Sequence, residues 1–205
     1  HKTSPRRFDR ESRTLFLSPY LPAPTRNFQI ALQIAVLEEE ERISEIVGKA
    51  TFRSADARNV CAAGLRNYFA GALLLPYHRF LQAAKELRHD LELIAIRFDA
   101  SLEQVGHRLS TLQRPGHKGV PVFFARVDRA GNITKRHSAD KLQCARYGAA
   151  SPLWNDHQAF ETPSQIIRQL GETPDGVRFL CVATELSKAR GGFEAPRPRY
   201  AIDLG

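Results

Sequence analysis

Apolar positions recur every three or four residues through the first half of the chain and every two residues in parts of the second. Helices followed by strands are therefore predicted. From Arg26, the residues Phe28, Ala31, Leu32, Ala35 and Val36 form one stripe, flanked by Ile30, Ile34 and Leu37. The stripe resumes at Ile43, Ile46 and Val47, and Gly48 is a stop signal. The acidic run Glu38 to Glu41 between them reads as a solvated helix face. Ser54 is a good N-cap for a second helix that carries Val60, Cys61, Leu65, Phe69 and Leu73 and ends at Pro76. A third runs from Tyr77 to about Arg88. A pair then follows, Leu91 to Phe98 and Leu102 to Leu112, broken at Asp99-Ala100-Ser101.

After Arg114-Pro115-Gly116 the period changes. Val120 to Asp128 is strand-like, Asp128-Arg129-Ala130-Gly131-Asn132 is a turn, and Ile133 to Arg136 returns as the second arm of a hairpin. Residues 148–162, with the single tryptophan Trp154, read as irregular. Thr162-Pro163 reads as the start of a short helix through Leu170, with Thr162 as N-cap and Pro163 at the first helical position. Pro174-Asp175-Gly176 is a turn. Phe179 to Ala183 and Arg199 to Leu204 read as strands. The expected class is α+β: a helical N-terminal half of about five helices, then a smaller mixed half with an antiparallel sheet built on the hairpin. The expected division is a basic, Pro-rich arm over residues 1–25, a helical region over 26–113 and an α+β region over 114–205.

Composition narrows the function. A net charge of +8 on 205 residues favours an anionic partner such as nucleic acid or a phosphorylated small molecule, although solubility alone is a sufficient reading. The chain holds no Met and opens on His1, which suggests a fragment of a longer protein with a possible tag remnant in front; continuation beyond Gly205 is also expected. Its three cysteines, Cys61, Cys144 and Cys181, are far apart, which argues against a zinc ribbon and fits a reducing cytoplasm. No run of about 18 apolar residues is present, so no membrane span is expected.

Motifs for chemistry are sparse. None of the seven histidines lies in H-E-x-x-H, and no G-x-S-x-G, G-x-G-x-x-G or P-loop occurs. Glu103 and His107, four apart, read as a surface ion pair rather than as metal ligands. Leu91 to Leu112 has helix-turn-helix offsets, with Glu103, Gln104, His107 and Arg108 exposed on its second helix. A packing unit has the same offsets, and this face is not strongly basic. The segment Arg114 to Arg136 is more informative. It carries six Lys or Arg against one acid, Asp128. On a strand, Phe124, Arg126 and Asp128 share one face, while Phe123, Ala125 and Val127 share the other. Aromatic surface and guanidinium together suit a nucleotide-like ligand. A solvated, charge-protected hairpin edge is the competing reading.

Several stretches are similar to one family. They are Asn67 to Tyr77, Glu103 to Gly116, Gly119-Val120-Pro121, Arg126 to Arg136, Pro152-Leu153-Trp154-Asn155 and Ala201 to Gly205. Together they resemble the C-terminal region of short-chain fatty acyl transcription regulators, which control propionate and glyoxylate metabolism. The part around Tyr68 to Pro76 resembles the tail of ImmA/IrrE-type metallopeptidase domains, without the metal motif. The resemblance implies a cytoplasmic, non-enzymatic sensor of coenzyme A or short-chain acyl-CoA. It also implies assembly into a homo-oligomer, dimer or tetramer, and DNA binding by a separate N-terminal helix-turn-helix domain. Arg126, Arg129, Lys135 and Arg136 are the expected phosphate-facing set, with Tyr68, Tyr77 and Arg108 lining the site. Some members carry an iron–sulfur cluster. The resemblance places the cluster cysteines largely in a Cys-rich tail beyond Gly205, so a cluster is an expectation for the full-length protein; here Ser151 stands where the family usually has Cys before Pro-Leu-Trp, which argues against a cluster in this segment. Direct nucleic-acid binding through the basic face and a degenerate hydrolase are the alternatives.

Overall fold

The computed structural model describes residues 6–139, 155–172, 176, 178–187 and 199–205. The chain forms two compact units, His1–Ser101 and Leu102–Gly205. The boundary therefore falls before the second helix of the suspected helix-turn-helix, twelve residues earlier than the change of hydrophobic period suggested.

The first unit is helical, but it opens on a hairpin. β1 (Arg6–Asp9) pairs antiparallel with β2 (Thr14–Leu17). Asp9 closes the turn by accepting from the backbone N–H of Glu11 at 3.0 Å. Arg7 lies 4.5 Å from the ring centroid of Phe16, its cross-strand partner. The expected arm is thus a folded element over these residues. Its stabilising pairs are cross-strand contacts that basic composition hides.

α1 (Ala23–Glu38), α2 (Glu40–Gly48), α3 (Ala55–Leu74), α4 (Tyr77–Glu86) and α5 (Leu91–Phe98) follow. The chain breaks at Glu39 (φ −117°), inside the acidic run that was expected to continue one helix face. Ser54 caps α3 by accepting from the N–H of Ala57, and Asp90 caps α5 by accepting from that of Leu93. Ala31, Ala35, Ala70, Phe80, Ala83, Ala84 and Ile94 are buried in this unit.

The second unit is a five-stranded antiparallel sheet between two helices. α6 (Leu102–Ser110) precedes the hairpin of β3 (Phe123–Asp128) and β4 (Ile133–Ser138). α7 (Asn155–Glu161), β5 (Ile166–Glu172), β6 (Arg178–Ser187) and β7 (Arg199–Leu204) complete it, in the strand order β4-β3-β7-β6-β5. One sheet face packs Phe123, Ala125, Val127 and Cys181 together, and further along it Ala183 and Ala201 lie against Ala159 of α7. The other face carries Phe124 and Leu204, on which α6 rests through Gly106. The hairpin and the alternation of its first strand match the sequence expectation.

The helix expected from Thr162 to Leu170 is not formed. Thr162 instead ends α7, its N–H and hydroxyl both donating to the Gln158 carbonyl, at 3.0 and 2.9 Å. Ser164 then takes a positive φ of 66°, and Ile166-Ile167 start β5. A proline after a polar residue marks a helix start or a helix stop equally well. The stretch expected to be irregular holds α7. Ser151 and Trp154 lie outside the described residues, so the cluster expectation finds no structural counterpart.

Gly106 provides a test of this packing. A Cβ there would lie 3.0 Å from a Leu204 methyl and 3.2 Å from the Phe124 ring, and both side chains are buried. In an open helix Gly→Ala stabilises by about 1 kcal/mol, whereas overpacking a core costs about 1–3 kcal/mol. Gly106→Ala is expected to lower stability by about 1 kcal/mol or more, measured by denaturant titration. A more stable variant would show that α6 is not seated on the sheet as described.

Candidate ligand site

Arg126 sits on β3 with its guanidinium tied into the fold at three points. Nη1 donates to Glu103 Oε1 at 2.9 Å, Nε donates to Thr134 Oγ1 at 2.9 Å, and its Cζ lies 4.9 Å from the centroid of the Tyr200 ring. The side chains of Arg126 and Glu103 are only 21% and 14% exposed. Glu103 therefore bridges from α6 to the hairpin, a partner that the sequence reading did not give it. The sequence hides the bridge because its partners are 23 residues apart.

The remaining basic residues divide across the sheet. Arg126 faces Lys135 in the register, and Phe124 faces His137, so these four share one face. Lys135 Nζ stands 5.7 Å from the Phe124 ring centroid. Arg136 pairs with Ala125 and lies on the opposite face, while Arg129 is exposed in the turn. Arg108, expected to be exposed, is buried in α6 at 4% exposure, with Nη1 3.3 Å from Thr111 Oγ1. Its burial takes Arg108 out of the exposed set expected on this helix. Tyr68 and Tyr77 belong to the first unit, where Tyr68 is half exposed on α3 and Tyr77 is buried at the start of α4.

Two histidines lie on the Phe124 face. The His107 ring meets Phe124 edge-on at 5.6 Å and His137 at 5.7 Å. Burial, the nearby Lys135 and His137 itself push the His107 pKa down to about 4, against a small opposing pull from Glu103. The His137 pKa is also lowered, first by burial and then by Lys135. Both rings are neutral near pH 7 and act as aromatic packing.

The first unit holds a separate, open cleft of about 450 Å³, lined by Arg6, Arg10, Leu32, Val36, Glu40, Ala63, Arg66 and Asn67. Helical and strand periods converge there. Arg6 and Arg10 are four apart on the hairpin side, Leu32 and Val36 are four apart on α1, and Ala63, Arg66 and Asn67 share a face of α3. Arg66 holds both Glu40 oxygens, at 2.9 and 2.5 Å, which pulls the Glu40 carboxyl below its ordinary pKa. Arg6 donates to the Gln29 carbonyl at 3.4 Å. A lining that mixes arginines with apolar side chains suits an anion that carries an apolar part. Sequence inspection missed it because its residues are spread from position 6 to position 67, and its arginines lie in a stretch that reads as an arm.

Residues 111–205 match the family model for the C-terminal region of short-chain fatty acyl coenzyme A regulators, and residues 1–110 match that of the IrrE N-terminal-like domain. The chain belongs to the short-chain fatty acyl coenzyme A regulator family. It is 58% identical over 96% of its length to a propionyl-CoA carboxylase regulator of Cereibacter sphaeroides. It is 43% identical over 99% of its length to the transcriptional regulator PrpR of Mycobacterium tuberculosis, and 39% identical over 97% to RamB from the same species. It spans 42% of the length of each of these relatives. A solved structure of a Mycobacterium tuberculosis transcriptional regulator superposes with a TM-score of 0.92 at 42% identity, covering all of this chain and 62% of that one. In family terms, the arginine-lined cleft belongs to the IrrE-like half and the hairpin to the regulator-specific half.

Two outcomes are expected for the regulator-specific half. Arg126→Ala leaves the Glu103 carboxylate buried without its main cation, so stability is expected to fall by about 1–3 kcal/mol, with Arg126→Lys recovering part of it. An unchanged denaturation midpoint would show the bridge to be idle. The second outcome concerns pH. His107 has a folded pKa near 4 and an unfolded value near 6.5, so the unfolded chain binds more protons between these values. Stability is complete above about pH 6.5 and falls as pH drops toward 4, by about 2 kcal/mol at pH 5 from this group. Melts of wild type and His107→Gln from pH 7 to pH 5 check this: the variant is expected to lose most of the slope.

Proposed function

We propose that the chain is the sensor part of a bacterial transcription regulator, binding coenzyme A or a short-chain acyl-CoA to control DNA binding by a separate domain. The cleft of the first unit carries this reading. It places three guanidiniums, Arg6, Arg10 and Arg66, around the apolar side chains Leu32, Val36 and Ala63. CoA thioesters combine phosphates with an apolar arm, and arginine forks suit phosphate oxygens. The cleft is large enough for part of such a molecule, with the rest extending into solvent. The names of the relatives, one of them a propionyl-CoA carboxylase regulator, support the same ligand class.

The hairpin cations keep a secondary place in this reading. Lys135 shares the face of Arg126, whereas Arg136 lies on the opposite face and Arg129 in the turn, so the set does not converge on one face. A non-enzymatic role agrees with the absence of H-E-x-x-H from the whole sequence and with relatives named as regulators. Assembly into a homo-oligomer and a cytoplasmic location belong to the same proposal.

Calorimetry on the whole chain tests it. CoA and propionyl-CoA are expected to bind, and propionate is expected not to. Arg10→Ala is expected to weaken CoA binding about 10-fold or more, the loss of one hydrogen bond to a charged group. Lys135→Ala is expected to leave it unchanged. Equal affinity for propionate and propionyl-CoA, or a loss confined to Lys135→Ala, would move the site out of the cleft.

A further inference from the structure

The five-stranded sheet has two outer strands, and their outward chemistry differs. β4 presents Lys135, Arg136 and His137 in succession, so a second copy of β4 laid against it would bring like charges together. Basic edges of this kind discourage strand pairing. β5, at the other end of the strand order, reads Ile166-Ile167-Arg168-Gln169-Leu170-Gly171-Glu172. Arg168, Leu170 and Glu172 share a face, the same one that carries Phe124 and Leu204. Leu170 is 79% exposed, and Leu180, its partner on β6, is 58% exposed. Among the described residues no strand pairs with the outer side of β5, and an exposed leucine pair beside such an edge, with no Pro or Lys within the strand, favours pairing.

We propose that the β5 edge is a homodimerisation surface, in which β5 pairs antiparallel with β5 of a second copy and Leu170 lies opposite itself. In that register Arg168 faces Glu172 of the second copy, and the symmetry repeats the pair on the other side of Leu170. Gln169 faces Gly171, where a small residue leaves room. The four leucines, two Leu170 and two Leu180, then form one apolar row across the junction. Symmetric registers centred on Arg168 or on Glu172 put like charges opposite each other. A one-residue slip would turn one copy's apolar row to the other face. Charge and hydrophobicity thus select the same register, and the two sheets become one of ten strands. Within one chain Glu172 accepts from Arg178 Nε at 2.8 Å, an exposed pair that leaves its carboxylate accessible to a second guanidinium. The proposal does not depend on the ligand reading.

Sedimentation velocity of the full chain over a range of concentrations tests it. The wild type is expected to dimerise. Arg168→Glu and Glu172→Arg each turn two facing pairs from attraction to repulsion, and each is expected to raise the dimer dissociation constant about tenfold or more. One variant carries acids at both positions 168 and 172, and the other carries bases at both. A heterodimer of the two therefore sets an acid against a base in each facing pair, so the mixture is expected to dimerise again. That recovery is not expected of variants that have merely lost their fold. A wild type that stays monomeric, a dimer indifferent to either charge reversal, or a mixture that does not recover would each overturn the proposal.

Discussion

The second unit depends on β7 lying between two hairpins. β3 and β4 form one local pair and β5 and β6 another, and only β7 hydrogen-bonds to both, to β3 on one side and β6 on the other. Its four residues Ala201 to Leu204 are buried, with Ala201 packed toward α7 and Leu204 toward α6. Parting β7 from either neighbour would leave a hairpin with an open edge, and an isolated hairpin is marginal in water. The placement of Arg126, Lys135 and His137 therefore depends on a strand more than sixty residues further along the chain. Tyr200 makes the dependence direct, because its ring is the aromatic surface on which Arg126 lies.

Net charge alone does not tell which cations serve the fold. The basic segment from Arg114 to Arg136 suggested a phosphate-facing cluster, yet its best-placed member serves the fold. A guanidinium tied to Glu103 and Thr134 and laid over Tyr200 is held by three partners within the fold. Arg199 is similarly committed, to Glu185 at 2.5 Å and to the Phe160 carbonyl at 3.1 Å. In the first unit the pattern reverses. There Arg66 is paired with Glu40 but still lines an open cleft with Arg6 and Arg10, in the part of the chain whose composition looked least structured.

Features governed by local periodicity were legible in the sequence. The helices from Tyr77 to Glu86 and Leu91 to Phe98, the β3–β4 hairpin with its Asp128–Asn132 turn, and β7 follow from spacing and turn chemistry that need no distant partner. Failures came where a local signal had two meanings. Thr162-Pro163 satisfies both the start and the stop rule for helices, and Ile166-Ile167 in a strand settled the choice through pairing with Ala183 and Thr184. Arg108 and His107 looked exposed because α6 is amphipathic by charge. The sheet beneath it instead accepts an imidazole against Phe124, and Arg108 is buried as well. The cleft was not legible at all, since β1, the turn after it, α1, α2 and α3 all supply it.

Sensing adds a thermodynamic constraint to these separate features. A ligand shifts an assembly equilibrium only by the difference between its affinities for the two states, and the coupling is reciprocal. If CoA occupies the cleft and copies pair through β5, ligand can favour the dimer only to the degree that the dimer binds ligand more tightly. A tenfold coupling amounts to about 1.4 kcal/mol. A difference of that size could be supplied by one or two charged contacts, without a large rearrangement. His107 is not poised to supply it at neutral pH, because burial holds its ring neutral well below that range. Any coupling must then run through packing or through the arginine and carboxylate pairs, whose charges persist near neutral pH. The Glu40–Arg66 pair is the one among these that already borders the cleft, so it is where an arriving phosphate would first compete with an existing ion pair.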